Sequence, residues 1–354
     1  MPQRAAIHQR GHVNSSVLGF GGSPAITAAA PTKVLLLFGK DWDSALLRRF
    51  EDDGTHRFFE HGFDLFDSFS NWQLGTFGLK RFVQRMSARY AGAVDAVFSS
   101  NEQFGALAAS LVAKELGLPG SQPANLLRAQ HKFEARRHLQ SFAPELCPRF
   151  EVIGYDITRA QAERLPYPMF VKPVKATFSV LARRCDTPQE LLDHLTFAPL
   201  EKFIIKRLIK PHNDALADYP QFSVPTDRMI VEELLQGWQI NVDGYVHQGQ
   251  VHTLGLVDEV MYPGTMAFQR FALPGTVQND SALRQRVRAA TDKVVRGFEL
   301  DHGFFNLEFF YNPDTDDLKL IEINPRLAAQ LGPLYEWTQG VDIYTTAFAL
   351  AQNQ

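Results

Sequence analysis

The chain has 354 residues, with 36 Lys and Arg against 39 Asp and Glu, a formal net charge of −3 and 45% hydrophobic residues. Such a length buries a large core and divides into about two or three units, because a single core stops growing near ~250 residues. Nearly balanced charge without a basic stripe gives no electrostatic footprint for nucleic acid, and no run of about 18 apolar residues marks a membrane span.

Only Cys147 and Cys185 are present. They show no CxxC spacing and no His partners at zinc-ligand intervals, so neither a disulfide framework nor a structural zinc site is expected, and a cytoplasmic setting fits. Residues 1–30 carry Arg4, Arg10 and several Ser, Gly and Ala, with no acid before Asp41. They lack the apolar region of a secretory signal and read as a disordered leader, with a mitochondrial presequence as the alternative.

Residues 33–38, KVLLLF, form a short continuous apolar run followed by Gly39, the pattern of a buried parallel strand. A second such run begins at Ala93. Amphipathic stretches at 79–90 and 104–116 read as helices, the second stopped by Gly117-Leu118-Pro119-Gly120. Strand and helix alternate, so residues 31–125 predict an open α/β domain with a mainly parallel sheet. No G-x-G-x-x-G follows the first strand, so a dinucleotide site is not supported.

Residues 129–142, AQHKFEARRHLQSF, predict one charged helix with Lys132 near its start. Residues 167–174, YPMFVKPV, predict a strand with Lys172 among apolar neighbours, where the lysine is either functional or an edge residue snorkelling to solvent. The loop KATFS, which ends at Ser179, has backbone amides suited to phosphate but lacks the usual glycines. A strand at 180–184 and a helix at 188–195 follow. Further on, strands at 229–231 and 239–242, a turn at 245–249 and a strand at 250–257 read as an antiparallel meander, followed by helices at 281–298 and 342–351.

Between those helices, residues 304–326, FFNLEFFYNPDTDDLKLIEINPR, read as a β-hairpin turning at Thr315. That register sets Glu308 opposite Glu322 and Asn306 opposite Asn324 on one face, with Phe305, Leu307, Phe309, Ile321 and Ile323 on the core face. Opposed like charges destabilise a ladder by up to ~1 kcal/mol per pair, and a hard dication held by carboxylate and amide oxygens relieves this. The alternative is a solvated polar face, which is ordinary in antiparallel sheets.

In chain order, the lysine near a helix start, the V-K-P lysine, V-E-E-L-L-x-G, N-x-E and I-E-I-N-P-R resemble the ATP-grasp superfamily over about residues 126–354. The resemblance implies an α/β (α+β) chain: an N-terminal open α/β domain, then a two-lobed ATP-grasp domain with antiparallel sheets, the small lobe at 126–225 and the large lobe at 226–354. It implies that Lys132 and Lys172 contact nucleotide phosphates, with Ser179 in the phosphate loop. Glu232, Glu233 and Leu235 fall on the adenine linker, and Gln239 stands where a glutamate commonly holds the ribose. Glu308, Glu322 and Asn324 match the Mg²⁺ ligands, with Mn²⁺ as a substitute, and Arg326 matches the arginine that grips a carboxylate or acyl phosphate. Lys172 and Arg326 are the catalytic candidates.

The implied chemistry is activation of a carboxylate by ATP for attack by an amine, with positioning and charge neutralisation rather than a covalent side chain. The expected partners are a small-molecule carboxylate and an amine, with a homodimer allowed and neither nucleic acid nor membrane. Arg270, in YPGTMAFQR, is the candidate clamp for a substrate carboxylate, with a surface arginine as the equal alternative. The loop after Lys172 and Leu327-Ala328-Ala329 are poorer in glycine than the family pattern, which leaves a non-catalytic ATP-binding protein as the second reading. A biotin-carboxylase-like enzyme ranks below both.

Overall fold

The computed structural model describes residues 30–64, 71–176, 181–262 and 268–354, so the expected leader up to residue 29 and Ser179 lie outside it. Residues Pro31–Gln354 form one compact unit. Among the described residues no helix is long and apolar enough to cross a membrane.

The first layer contains β1 (Thr32–Leu37), α1 (Asp41–Asp52), β2 (His56–His61), α2 (Leu79–Tyr90), β3 (Ala96–Phe98) and α3 (Gly105–Leu116). Its strands pair in parallel in the order β2-β1-β3. Val34 and Leu36 pack toward Tyr344 and Phe348, whereas Leu35 and Leu37 pack toward Phe82 and Leu107. Burial of both faces is why this strand reads as an unbroken apolar run. α3 stops at Gly117, whose φ of 67° is the left-handed cap expected there.

Next come α4 (Pro123–Gln130) and α5 (Lys132–Phe142), which replace the single helix expected over 129–142. The break falls at His131, where the backbone is extended and the imidazole accepts a bond from the Glu134 amide. The Lys132 amide donates to Val174 O at 3.0 Å. Lys132 thereby becomes the first residue of α5 and is tied to the strand that carries Lys172.

A second, antiparallel sheet has the order β4-β7-β5-β6. Its chain segment runs β4 (Phe150–Ile153), α6 (Arg159–Ala162), β5 (Met169–Pro173), β6 (Arg183–Cys185), α7 (Pro188–His194), α8 (Pro199–Leu216) and β7 (Met229–Glu233). β7 follows residue 225 in sequence yet is hydrogen-bonded between β4 and β5. Met169, Val171, Met229 and Val231 pack with Leu191 of α7. Lys172 and Glu232 alternate with them onto the other face.

The third sheet, β10-β9-β8-β11-β12, is antiparallel. It contains β8 (Trp238–His247), β9 (Gln250–Met261), β10 (Phe268–Ala272), β11 (Gly303–Asn312) and β12 (Asp317–Asn324), with α9 (Ser281–Gly297) between β10 and β11 and α10 (Gly332–Gln339) and α11 (Ile343–Ala351) closing the chain. Ile240, Val242, Phe305, Leu307 and Phe309 pack on Leu139 of α5 and on Val287 and Val294 of α9. The turn expected at 245–249 is shorter: β8 continues to His247, and Gln248 and Gly249, with φ of 49° and 74°, make the reversal.

In the terminal hairpin Glu308 pairs with Glu322 and Asn306 with Asn324, as expected, but Asn312 closes on Asp317. A bulge between these registers accommodates the extra residue, Ile321, so Leu320 rather than Ile321 joins the core. At the entry to β8, Gly237 has a φ of +115°, and a Cβ there would meet Tyr311 O at 2.0 Å. Gly237→Ala is therefore expected to lower stability by about 1–3 kcal/mol, read from the urea midpoint. An unchanged midpoint would show that the β8 entry tolerates a side chain.

Candidate active site

Period-2 alternation on three adjacent strands builds one polar face. β8 supplies Gln239, Asn241 and Asp243, opposite Phe310, Glu308 and Asn306 of β11, and Glu322 and Asn324 follow on β12. The amides are woven between the acids. Asn324 Nδ2 donates to Glu308 Oε1 at 2.9 Å and to Asn306 Oδ1 at 3.0 Å. Gln239 Nε2 donates to Glu308 Oε2 at 3.0 Å and to Glu259 Oε2 at 2.7 Å. Asn306 Nδ2 and Tyr335 Oη both donate to Asp243, at 3.0 and 2.7 Å. Burial pushes Asp243 up to about 6.

The second sheet and α5 bring cations to this face. Lys132 Nζ lies 2.6 Å from Glu322 Oε1 and donates to Ala176 O at 3.0 Å. Lys172 Nζ lies 2.8 Å from Glu232 Oε2, and Arg136 Nε lies 2.6 Å from Glu232 Oε1. The Ile321 carbonyl, outside the ladder at the bulge, accepts from Arg136 Nη2 and, at 3.4 Å, from Lys172 Nζ. Burial favours a neutral Glu232, but the charges of Arg136 and Lys172 outweigh it and hold the carboxyl down at about 2. Glu322 is likewise lowered, with Lys132 and then Lys172 overcoming burial. Glu308 is raised, first by burial and then by the Glu322 charge facing it.

Lys132, Lys172, Gln239, Glu308, Glu322 and Asn324 are thus gathered into one cluster. The Glu232 and Glu233 carboxylates are engaged elsewhere: Glu232 belongs to the ion cluster, and Glu233 takes Arg149 Nε at 2.9 Å. Any contact of this linker with a base therefore falls to its backbone and to Leu235, which lines a cleft of about 530 Å³ with Leu234, Gln236 and Phe310. Arg326, just beyond β12, lies with its Nε 2.9 Å from Glu102 Oε2. Arg270 is not drawn into the cluster: it is exposed on the edge strand β10, with its guanidinium on Gln269.

Sequence reasoning did not single out Arg136, Asn241, Asp243, Glu259, Glu102 or Lys175 as site residues. Two signals existed: Gln239, Asn241 and Asp243 alternate in step with a strand, and Arg136 sits four residues after Lys132 on the same helical face. Glu102 and Lys175 reach the site only through tertiary folding.

The donor set suits a hard divalent ion. Glu308 and Glu322 face each other across the ladder, and the repulsion that raises Glu308 is what a dication held by both would relieve. Among the described residues no three His, Cys, Asp or Glu side chains converge on a metal position. An ion held here would take its remaining oxygens from the Asn324 amide, water and phosphate, the open shell that Mg²⁺ favours.

Comparison with known proteins agrees with this geometry. Residues 165–333 match the ATP-grasp domain family. No curated protein matches the sequence. The fold is similar to that of an L-amino acid ligase from Bacillus licheniformis, at a TM-score of 0.66 and 16% identity over 91% of this chain and 74% of that one. It is also similar to a biotin carboxylase from Campylobacter jejuni, at 0.64 and 16% over 92% and 72%, and to an N5-carboxyaminoimidazole synthetase from Staphylococcus aureus solved with ADP, at 0.61 and 12% over 91% and 77%. An antiparallel sheet with an acidic strand pair, together with a second antiparallel sheet that carries the buried Lys172, belongs to the fold that this chain shares with them. This chain carries an ATP-grasp domain.

Removing the Glu232 charge leaves Arg136 and Lys172 uncompensated, so Glu232→Gln is expected to cost about 3–5 kcal/mol at pH 7. The folded Glu232 titrates below an unfolded glutamate, so its stabilisation is complete above the unfolded value of about 4.3 and is lost as pH falls toward the folded value of about 2. Urea midpoints of the two proteins should converge between pH 4 and pH 2, both about the limits just given. A gap that stays constant over that range would refute the assigned ion cluster.

Proposed function

We propose that the protein is a Mg²⁺- and ATP-dependent carboxylate-amine ligase that works through an acyl phosphate. The observation that carries this reading is the placement of Glu308, Glu322 and Asn324 opposite Lys132 and Lys172, with Arg326 on the same chain segment as the acids. Glu308, Glu322 and Asn324 would hold the metal, which neutralises phosphate charge when bound. Lys132 and Lys172 would hold phosphate oxygens as compact charges, and the 233–235 linker would seat the base by its backbone and Leu235. Gln239 can meet a ribose hydroxyl through its amide.

Arg326 would orient the substrate carboxylate for in-line attack on the γ-phosphorus. One carboxylate oxygen forms the new P–O bond as ADP leaves. The amine then attacks the acyl carbon, phosphate departs, and the nitrogen loses a proton to give a neutral amide. Ser179 belongs to the expected phosphate loop. Similarity to the L-amino acid ligase fold supports an acid-amino-acid or peptide-type product.

The test is Mg²⁺-dependent ADP release across a panel of amino acids, small carboxylates and bicarbonate, with Glu322→Ala as the comparison. A ligase needs one carboxylate together with one amine, and the variant should lose at least about 10²-fold in kcat/KM. Release with bicarbonate alone would point to a carboxylase. Tight ATP binding without release under any pairing would make the protein a nucleotide-binding module.

A further inference from the structure

Arg326 occupies an unusual electrostatic position. Its Nε is 2.9 Å from Glu102 Oε2, and Lys175 Nζ is 3.8 Å from Glu102 Oε1. Gln130 Nε2 donates at 3.3 Å both to Glu102 Oε1 and to the Glu102 carbonyl. Lys175 and Gln130 are only 3% and 4% exposed, so this is a buried cluster rather than a surface ion pair. The pairing is nevertheless incomplete. Among the described residues Arg326 Nη1 and Glu102 Oε2 are both buried without a hydrogen-bond partner, so the two charges are close but misaligned. Buried donors of this kind are rarely left unbonded, and a guanidinium fork is completed by a planar acceptor that engages two nitrogens.

Glu102 reaches the cluster from a different sheet. It lies in the turn between β3 and α3, where Asn101 Oδ1 accepts from the amides of Phe104 and Gly105. Its carboxylate can withdraw without breaking the ladder that carries the acids or the helix that carries Gln130. Without it, Arg326 and Lys175 would face each other as uncompensated buried cations, which is costly. An incoming monoanionic carboxylate would restore that balance and also satisfy Nη1.

We infer that Glu102 is a resident anion in a carboxylate pocket formed by Arg326, Lys175 and Gln130, and that the acid substrate binds by displacing it. The assignment of the displacing carboxylate to the substrate rests on the ligase reading, but the exchange itself does not. Glu102 is thus a positioning residue: it keeps the cations apart in the unliganded protein and sets how strongly an acid must bind to enter.

Acetate, followed by calorimetry and by thermal shift in the absence of nucleotide, is the probe. Glu102→Gln should bind acetate roughly tenfold more tightly than the unaltered protein, the effect of removing one like charge from a desolvated site. The gain should vanish in the double variant Glu102→Gln with Arg326→Gln. Glu102→Asp keeps the charge on a shorter arm and should show a smaller gain, which covers the case in which Glu102→Gln does not fold. Unchanged acetate affinity in the folded variants, or a gain that survives loss of Arg326, would overturn the inference. A gain for inorganic phosphate but not for acetate would overturn the carboxylate assignment. Because neither ATP nor turnover enters the measurement, failure of the ligase assay leaves this result standing, and the reverse also holds.

Discussion

The site depends on one buried ionic junction. Glu232 of β7 receives Lys172 of β5 and Arg136 of α5, and both cations also reach the carbonyl of Ile321 on β12. A carboxylate and a carbonyl thereby hold two sheets and a helix at fixed separation through charge-assisted bonds shielded from water. The two cations outweigh the single carboxylate, so the junction keeps a positive charge facing the acidic strands. Had Lys172 met Glu232 alone, the pair would be neutral. Arg136 restores the charge.

The acidic face solves the converse problem. Glu308 and Glu322 stand opposite each other on a ladder that would ordinarily disfavour them. Amides from Gln239 and Asn324 bond one, and Lys132 bonds the other. The asymmetry matters, because Lys132 holds Glu322 ionised while Glu308 is raised toward its protonated form. The two carboxylates are thus poised differently before any ion arrives, and a cation bound between them would exchange against Lys132 and against a proton.

Much of this was legible in the sequence because it follows from periodicity. Alternation and a turn centred on Thr315 led to the pairing of Glu308 with Glu322, although the chain reaches it through a turn that closes Asn312 on Asp317 and a bulge at Ile321 that no local signal announced, and the parallel strand at 33–38 could be read from an apolar run bounded by glycine. What stayed hidden depended on tertiary contact. The helix break in AQHKFEARRHLQSF has one local mark, the His131 imidazole that caps the Glu134 amide, but the bond that draws the Lys132 amide away comes from Val174, just beyond the distant strand β5. The long α8 carries Pro211 within it and lacks the simple pattern of a helix on the surface. Glu102 and Arg326 are separated by most of the chain, and no spacing rule connects them.

The bulge at Ile321 has a consequence beyond freeing a carbonyl. It places one extra residue between the acidic pair and the hairpin tip, so the register at Glu308 and Glu322 and the register at Asn312 and Asp317 are set independently. The first is fixed by neighbouring strands and by the cations on the bulge, the second by turn chemistry at Pro313 and Asp314. The tip of this hairpin can therefore drift in length and composition over generations while the acids stay in place, which makes it a natural position for grafting a foreign segment onto the fold.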